Sequence, residues 1–211
     1  MAQRKYEQRL RAEQAEETRR RILDAVYERL RQAPAEPIAL DEVARRARVA
    51  RSTIYLVFGS RAGLFQAFAE DLSERTGLAA LTEAVAHPDP REHLRGGLAA
   101  ASRMYAADRD IYRVLFSMGQ LDPDAVGGAI LRMEEGRRGG MEHLARRLDE
   151  GGLLRPDVSV EAAVDVLWVL CSFDSFDALF TGRGRPVDDV VDRLAAIAER
   201  ALCPPRRTRR A

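Results

Sequence analysis

Within eight positions the chain sets Arg48, Arg51, Ser52, Thr53 and Tyr55, with Arg61 a little further on. A guanidinium is a planar fork of donors that matches the O6/N7 acceptor pair on the major-groove edge of guanine, a contact that typically gives about 1–3 kcal/mol of discrimination. Hydroxyls donate to phosphate oxygens, which positions a protein on a duplex without reading its sequence. Arg51, at the head of a short helical stretch, and Arg48, in the turn before it, are the side chains best suited to base edges. Ser52, Thr53 and Tyr55 suit the phosphates. Groups for bond-making chemistry are missing elsewhere. The three histidines, His87, His93 and His143, are not joined by a Gly-x-Ser-x-Gly elbow, a metal-ligand cluster or a phosphate loop. No catalytic residue, metal or cofactor is expected, and the chain does not read as an enzyme.

Side chains that read DNA have to be held out on a rigid support. From Thr18 the apolar positions Ile22, Leu23, Val26, Tyr27 and Leu30 follow the rhythm of a helix with one buried stripe, which ends at the Pro34 to Pro37 break. Ile38 to Ala47 reads as a second helix with Leu40, Val43, Ala44 and Ala47 inward. Arg51 to Phe58 reads as a third with Ile54, Tyr55 and Phe58 inward, some three residues later. One longer helix followed by two short ones about a tight turn describes a helix-turn-helix, whose last helix enters the major groove. Ser60 is a good N-cap for a fourth helix carrying Leu64, Phe65, Phe68 and Leu72 on toward Leu81, which makes that helix the expected lever between the two halves.

The stretch Leu40-Asp-Glu-Val-Ala-Arg-Arg-Ala-Arg-Val-Ala-Arg-Ser-Thr-Ile-Tyr-Leu-Val-Phe-Gly-Ser-Arg-Ala-Gly-Leu-Phe65 resembles the signature of the TetR/AcrR family of regulators. The resemblance covers about Thr18 to Phe68. It implies an all-α protein: an N-terminal three-helix helix-turn-helix domain followed by a larger helical domain for ligand binding and dimerisation. It also implies a homodimer on a palindromic double-stranded operator, with the last two long helices of each subunit forming a four-helix interface, and it makes Arg61 the counterpart of a phosphate-binding lysine. Repression is the commoner family behaviour. Three departures stand out. Arg48 occupies a turn position where glycine is usual, Ala39 and Ala50 replace hydroxyl caps, and Leu56-Val57 replaces a polar or aromatic pair.

Beyond this segment the chain reads as helices throughout, at about 91–106, 109–118, 124–149, 159–180 and 187–202, with breaks wherever Gly, Pro and Asp cluster. Met104, Tyr105, Phe116, Met133, Trp168 and Cys171 are adaptable apolar side chains suited to lining a cavity for a small, largely apolar effector. The helix from Val160 to Phe180 is apolar on most sides, and the last helix repeats Val187, Val190, Val191, Leu194 and Ile197 at helical spacing. Phe173, Phe180, Val190, Leu194 and Ile197 are the expected dimer contacts. A repressor released from its operator by a small ligand is the leading reading. The alternative is a DNA-binding protein with no effector, controlled by a protein partner.

Charge separates the halves, since residues 1–61 carry a formal +5 and the remainder −4 within a net +1. An acidic body is not drawn to nucleic acid, so DNA contact belongs at the N-terminus. The expected organisation is a charged arm at 1–16, the helix-turn-helix domain at 17–63, the helical body at 64–203 and an Arg-rich tail at 204–211. No apolar run is long enough to span a membrane, and Cys171 and Cys203 read as ordinary reduced thiols in a cytoplasmic protein.

Overall fold

The structure is a computed structural model that describes residues 2–34 and 36–205, with side chains from Tyr6 onward. The Arg206–Arg210 run expected to form a basic tail lies outside the described residues. All regular structure among the described residues is helical. Nothing between Ala2 and Gln32 breaks a helix, and the expected arm and first helix are a single 31-residue α1 (Ala2–Gln32). Then come α2 (Leu40–Ala47), α3 (Arg51–Phe58), α4 (Arg61–Thr76), α5 (Leu78–Ala86), α6 (Pro90–Ala107), α7 (Arg109–Leu121), α8 (Gly128–Glu150), α9 (Val160–Leu170), α10 (Phe173–Phe180) and α11 (Val187–Leu202). A π-helical turn, Pro123–Gly127, precedes α8.

The helices gather into two compact units. One holds the chain up to Leu72 together with Asp110–Leu131, and the other holds Ser73–Arg109 together with the chain from Arg132 onward. The first unit extends past residue 63, where the sequence suggested a boundary.

In the first unit α1 buries Ile22, Val26 and Leu30 against α2, whose inward stripe is Leu40, Val43, Ala44 and Ala47. Arg29, 3% exposed, fastens the two helices. Its Nε donates to Glu42 Oε2 at 2.7 Å, and its other nitrogens donate to Glu36 Oε2 at 3.0 Å and to the Ala33 carbonyl at 2.8 Å. Two glycines shape the exit from α3. Gly59 has φ +75°, and a Cβ on Gly63 would stand 2.1 Å from the Phe58 carbonyl oxygen. Ser60 caps α4 by accepting from Gly63 N–H at 2.9 Å, as its type predicts. Ile111, Tyr112, Leu115, Ala125 and Val126 supply buried apolar surface from the segment after residue 110.

In the second unit α6 packs on α5 and α11, and α11 on α9. Asp89 caps α6, accepting from Arg91 N–H at 2.8 Å, with Pro90 as the first helical residue. Arg147 of α8 reaches four acceptors around that cap: the His87 carbonyl at 2.8 Å, the Pro88 carbonyl at 2.7 Å, the Val85 carbonyl at 3.3 Å and His93 Nδ1 at 3.1 Å. Arg109 grips buried Asp177 with both ends of its fork, at 2.6 and 2.9 Å, while Thr181 donates to the same carboxylate.

Two helices expected to be continuous are interrupted, and a third starts differently. The helix from Leu64 toward Leu81 ends at Thr76, because Gly77 takes φ +122° and starts α5 afresh. The 159–180 segment divides at Cys171-Ser172, where Ser172 Oγ accepts from Ser175 N–H at 3.1 Å and caps α10. The 124–149 segment opens with a π turn. A single glycine or serine inside an apolar rhythm leaves the periodicity intact, so periodicity alone passes over such breaks.

Candidate nucleic-acid interface

The turn between α2 and α3 fixes where the DNA-contact candidates stand. Arg48 closes α2 in the left-handed conformation, φ 55° and ψ 47°, the sole non-glycine with positive φ among the described residues. Its N–H donates to the Arg45 carbonyl at 3.2 Å and the Val49 N–H to the Ala44 carbonyl at 3.0 Å, which satisfies carbonyls that α2 would leave open. An arginine here keeps that geometry at a cost of about 1–2 kcal/mol that glycine would not incur. Ala39 and Ala50 cap their helices without a side-chain acceptor, as their types dictate.

On α3, Ile54 is fully buried, while Arg51, Ser52, Tyr55 and Leu56 form the exposed face. Thr53 is half-buried, and so is Phe58, which lies under the Arg19 guanidinium 5.2 Å from its ring centroid. Tyr55, expected to face inward with Ile54, is instead 40% exposed, because only one side of a two-turn helix can meet α1 and α2.

Two of the candidate arginines already engage carboxylates of this chain. Arg51 Nη1 lies 3.0 Å from Asp41 Oδ2, and hydrogen bonding to Tyr55 one turn on, followed by the Asp41 charge, raises its pKa further above an already permanent charge. Arg61 Nη2 lies 3.1 Å from Asp122 Oδ2, in the loop just before the π turn. Its guanidinium sits over the Phe65 ring at 5.6 Å, and its Nε, sealed from water, has no partner among the described residues. Arg48 is exposed at the tip of the turn. Sequence reasoning passed over Asp41 and Asp122 because nothing local links them to the arginines they meet. It likewise passed over Arg29, which together with Arg46 holds the Glu42 carboxyl below the usual range; Arg46 is the larger influence.

Residues 22–68 match the family model for bacterial regulatory proteins of the tetR family. The chain carries the amino-terminal domain of the TetR family. Solved structures share the rest of the TetR fold. A TetR family transcription regulator from Marinobacter aquaeolei VT8 is 16% identical with a TM-score of 0.67, over 91% of this chain and 98% of its own. A fatty acid degradation regulator from Bacillus halodurans is 16% identical with a TM-score of 0.67, over 90% of this chain and 97% of its own. A TetR-like transcriptional regulator from Rhodococcus sp. RHA1 is 23% identical with a TM-score of 0.62, over 87% of this chain and 94% of its own. Comparison of the sequence with curated proteins gives no match. Among the described residues no helix is long and apolar enough to cross a membrane.

The residues singled out for an effector distribute unevenly. Met104 is buried, and Tyr105 packs edge-on to Phe173 at 5.4 Å and donates to the Cys171 carbonyl at 3.4 Å. The Arg137 guanidinium lies 3.7 Å over the Trp168 ring and donates to the Trp168 carbonyl. Burial pushes the Cys171 thiol up to about 12, so it stays protonated. Met133 is half-buried, and Phe116 stacks on Tyr112 in the first unit. Of the expected dimer contacts, Phe173, Val190 and Leu194 are buried within their own unit, Phe180 is half-buried against Phe176, and Ile197 is 42% exposed.

Proposed function

We propose that this TetR-type protein is a sequence-specific repressor that binds a palindromic operator as a homodimer and leaves it when a small apolar effector occupies the second unit. The observation that carries the DNA-binding part is the exposed face of α3, where Arg51, Ser52 and Tyr55 stand together on the helix that a helix-turn-helix inserts into the major groove. Arg48 and Arg51 read guanine edges. Ser52, Thr53, Tyr55 and Arg61 hold phosphates. Exposed Val169 on α9 and Ile197 on α11 support a subunit contact along those helices. Met104, Tyr105, Met133, Trp168 and Cys171 are the apolar and sulfur side chains of the second unit against which such an effector would pack. A ligand that favours one spacing of the two recognition helices weakens operator binding by typically about 1–3 kcal/mol.

The test is selection of duplexes from a random library by the purified full chain at near-physiological salt, repeated with Arg51→Ala and Tyr55→Phe. The expected result is a palindrome with half-sites about one helical turn apart, its guanine preference lost in the Arg51 variant and its affinity lowered across all sequences in the Tyr55 variant. Binding that merely follows salt, with no sequence enriched, would refute the reading. Release of the selected duplex by members of a panel of apolar small molecules then checks the effector.

A further inference from the structure

Leu56 is 85% exposed on α3, beside Arg51, Ser52 and Tyr55 and away from the buried Ile54. It is apolar on a face otherwise made of a cation and hydroxyls, and at that exposure it contributes nothing to the core of its own domain. Ser52 and Leu56 are one turn apart, as are Arg51 and Tyr55, so the four make two adjacent rows that together form one broad exposed strip along the helix. If that strip lies in the major groove, the isobutyl group faces base edges whose single apolar group is the C5-methyl of thymine. The basic surroundings of the strip and the apolar group at its end are complementary to a duplex in different ways, the first to its charge and the second to one base.

We propose that Leu56 determines specificity by packing on a thymine methyl in each half-site, next to the guanine taken by Arg51. The proposal rests on the reading of α3 as a recognition helix. Five residues at 1.5 Å rise displace the two side chains by about 7.5 Å along the helix axis, so with that axis lying along the groove the thymine falls about two base pairs from that guanine. Covering one methyl group changes affinity roughly four-fold, hence about sixteen-fold when both half-sites are altered.

The test uses the duplex selected by the full chain, with each thymine replaced in turn by uracil in both half-sites; uracil lacks only the methyl and pairs identically. Wild type is expected to lose about sixteen-fold at one thymine position near the guanine and to be indifferent at the others. Leu56→Ala, at an exposed position where folding is not at stake, is expected to bind the thymine and uracil duplexes equally. Wild type indifferent to uracil at every position overturns the proposal while leaving the recognition-helix reading intact. The same uracil sensitivity in Leu56→Ala also overturns it, because another residue then covers the methyl. Loss of affinity in Leu56→Ala to the same extent on unrelated duplexes overturns it in favour of a contact with the sugar-phosphate backbone. If no duplex is selected at all, the reading of α3 fails and the proposal with it.

Discussion

Arg48 allows the cost of the turn to be measured apart from the value of its side chain. The residue is held at φ 55° and ψ 47° by two carbonyl-capping hydrogen bonds of 3.2 and 3.0 Å, while its guanidinium stands exposed at the tip of the turn. Arg48→Gly and Arg48→Ala both delete the guanidinium, and differ only in whether a Cβ remains in the left-handed region. Removing that Cβ relieves about 1–2 kcal/mol. Glycine returns about 0.5–1 kcal/mol through the greater freedom of its unfolded chain. The glycine variant should therefore be more stable than the alanine variant by roughly 1 kcal/mol, or about 2–4 °C in Tm for a chain of this size. The assay is urea unfolding of both variants at one protein concentration, read by helical circular dichroism, with operator binding measured by fluorescence anisotropy over a salt series. Operator affinity should fall below wild type and to the same extent in both, since both lose the same charge and base contact. Equal stabilities would refute the idea that the turn stores strain. Weaker operator binding by the glycine variant alone would mean that the arginine backbone holds α3 in register.

Arg61→Gln removes the guanidinium that pairs with Asp122 at 3.1 Å, so operator affinity should fall and the plot of log K against log salt should become shallower by about one ion per subunit; an unchanged slope would show that Arg61 does not reach a phosphate. Arg29→Met removes the hydrogen bonds to Glu42, Glu36 and the Ala33 carbonyl, and because Glu36 is exposed and Glu42 keeps Arg46, it should cost about 1–2 kcal/mol in denaturant unfolding, whereas a loss below about 0.5 kcal/mol would show that Arg29 does not fasten α1 to α2. Burial, reinforced by Arg147, depresses His93 to about 4, so the unfolded chain takes up this proton below about 6.5 and the folded chain does not. Stability is therefore complete above that range and lost as pH falls from about 6.5 toward 4, by about 2 kcal/mol between pH 7 and 5; His93→Gln should flatten the difference, and an unchanged pH dependence would exclude His93 as its source.

The parts legible in the sequence are those written within a few neighbouring residues. The bounds of α3 and α11, the Ser60 cap and the inward stripe of α2 all follow from helical rhythm and capping types. The TetR-like signature lies in the same local span. The tertiary structure alone decided which carboxylates meet the arginines proposed to contact DNA, with Asp41 on Arg51 and Asp122 on Arg61 brought together from ten and sixty-one positions away. It also decided that Arg29 is a buried staple, that Asp177 serves Arg109 in its own chain, and that Gly77 and Ser172 break apolar helices. The reason is one of range. Propensity, caps and periodicity act along a few residues of chain, while ion pairs, burial and the choice between an inward Ile54 and an outward Leu56 exist only once distant segments have packed.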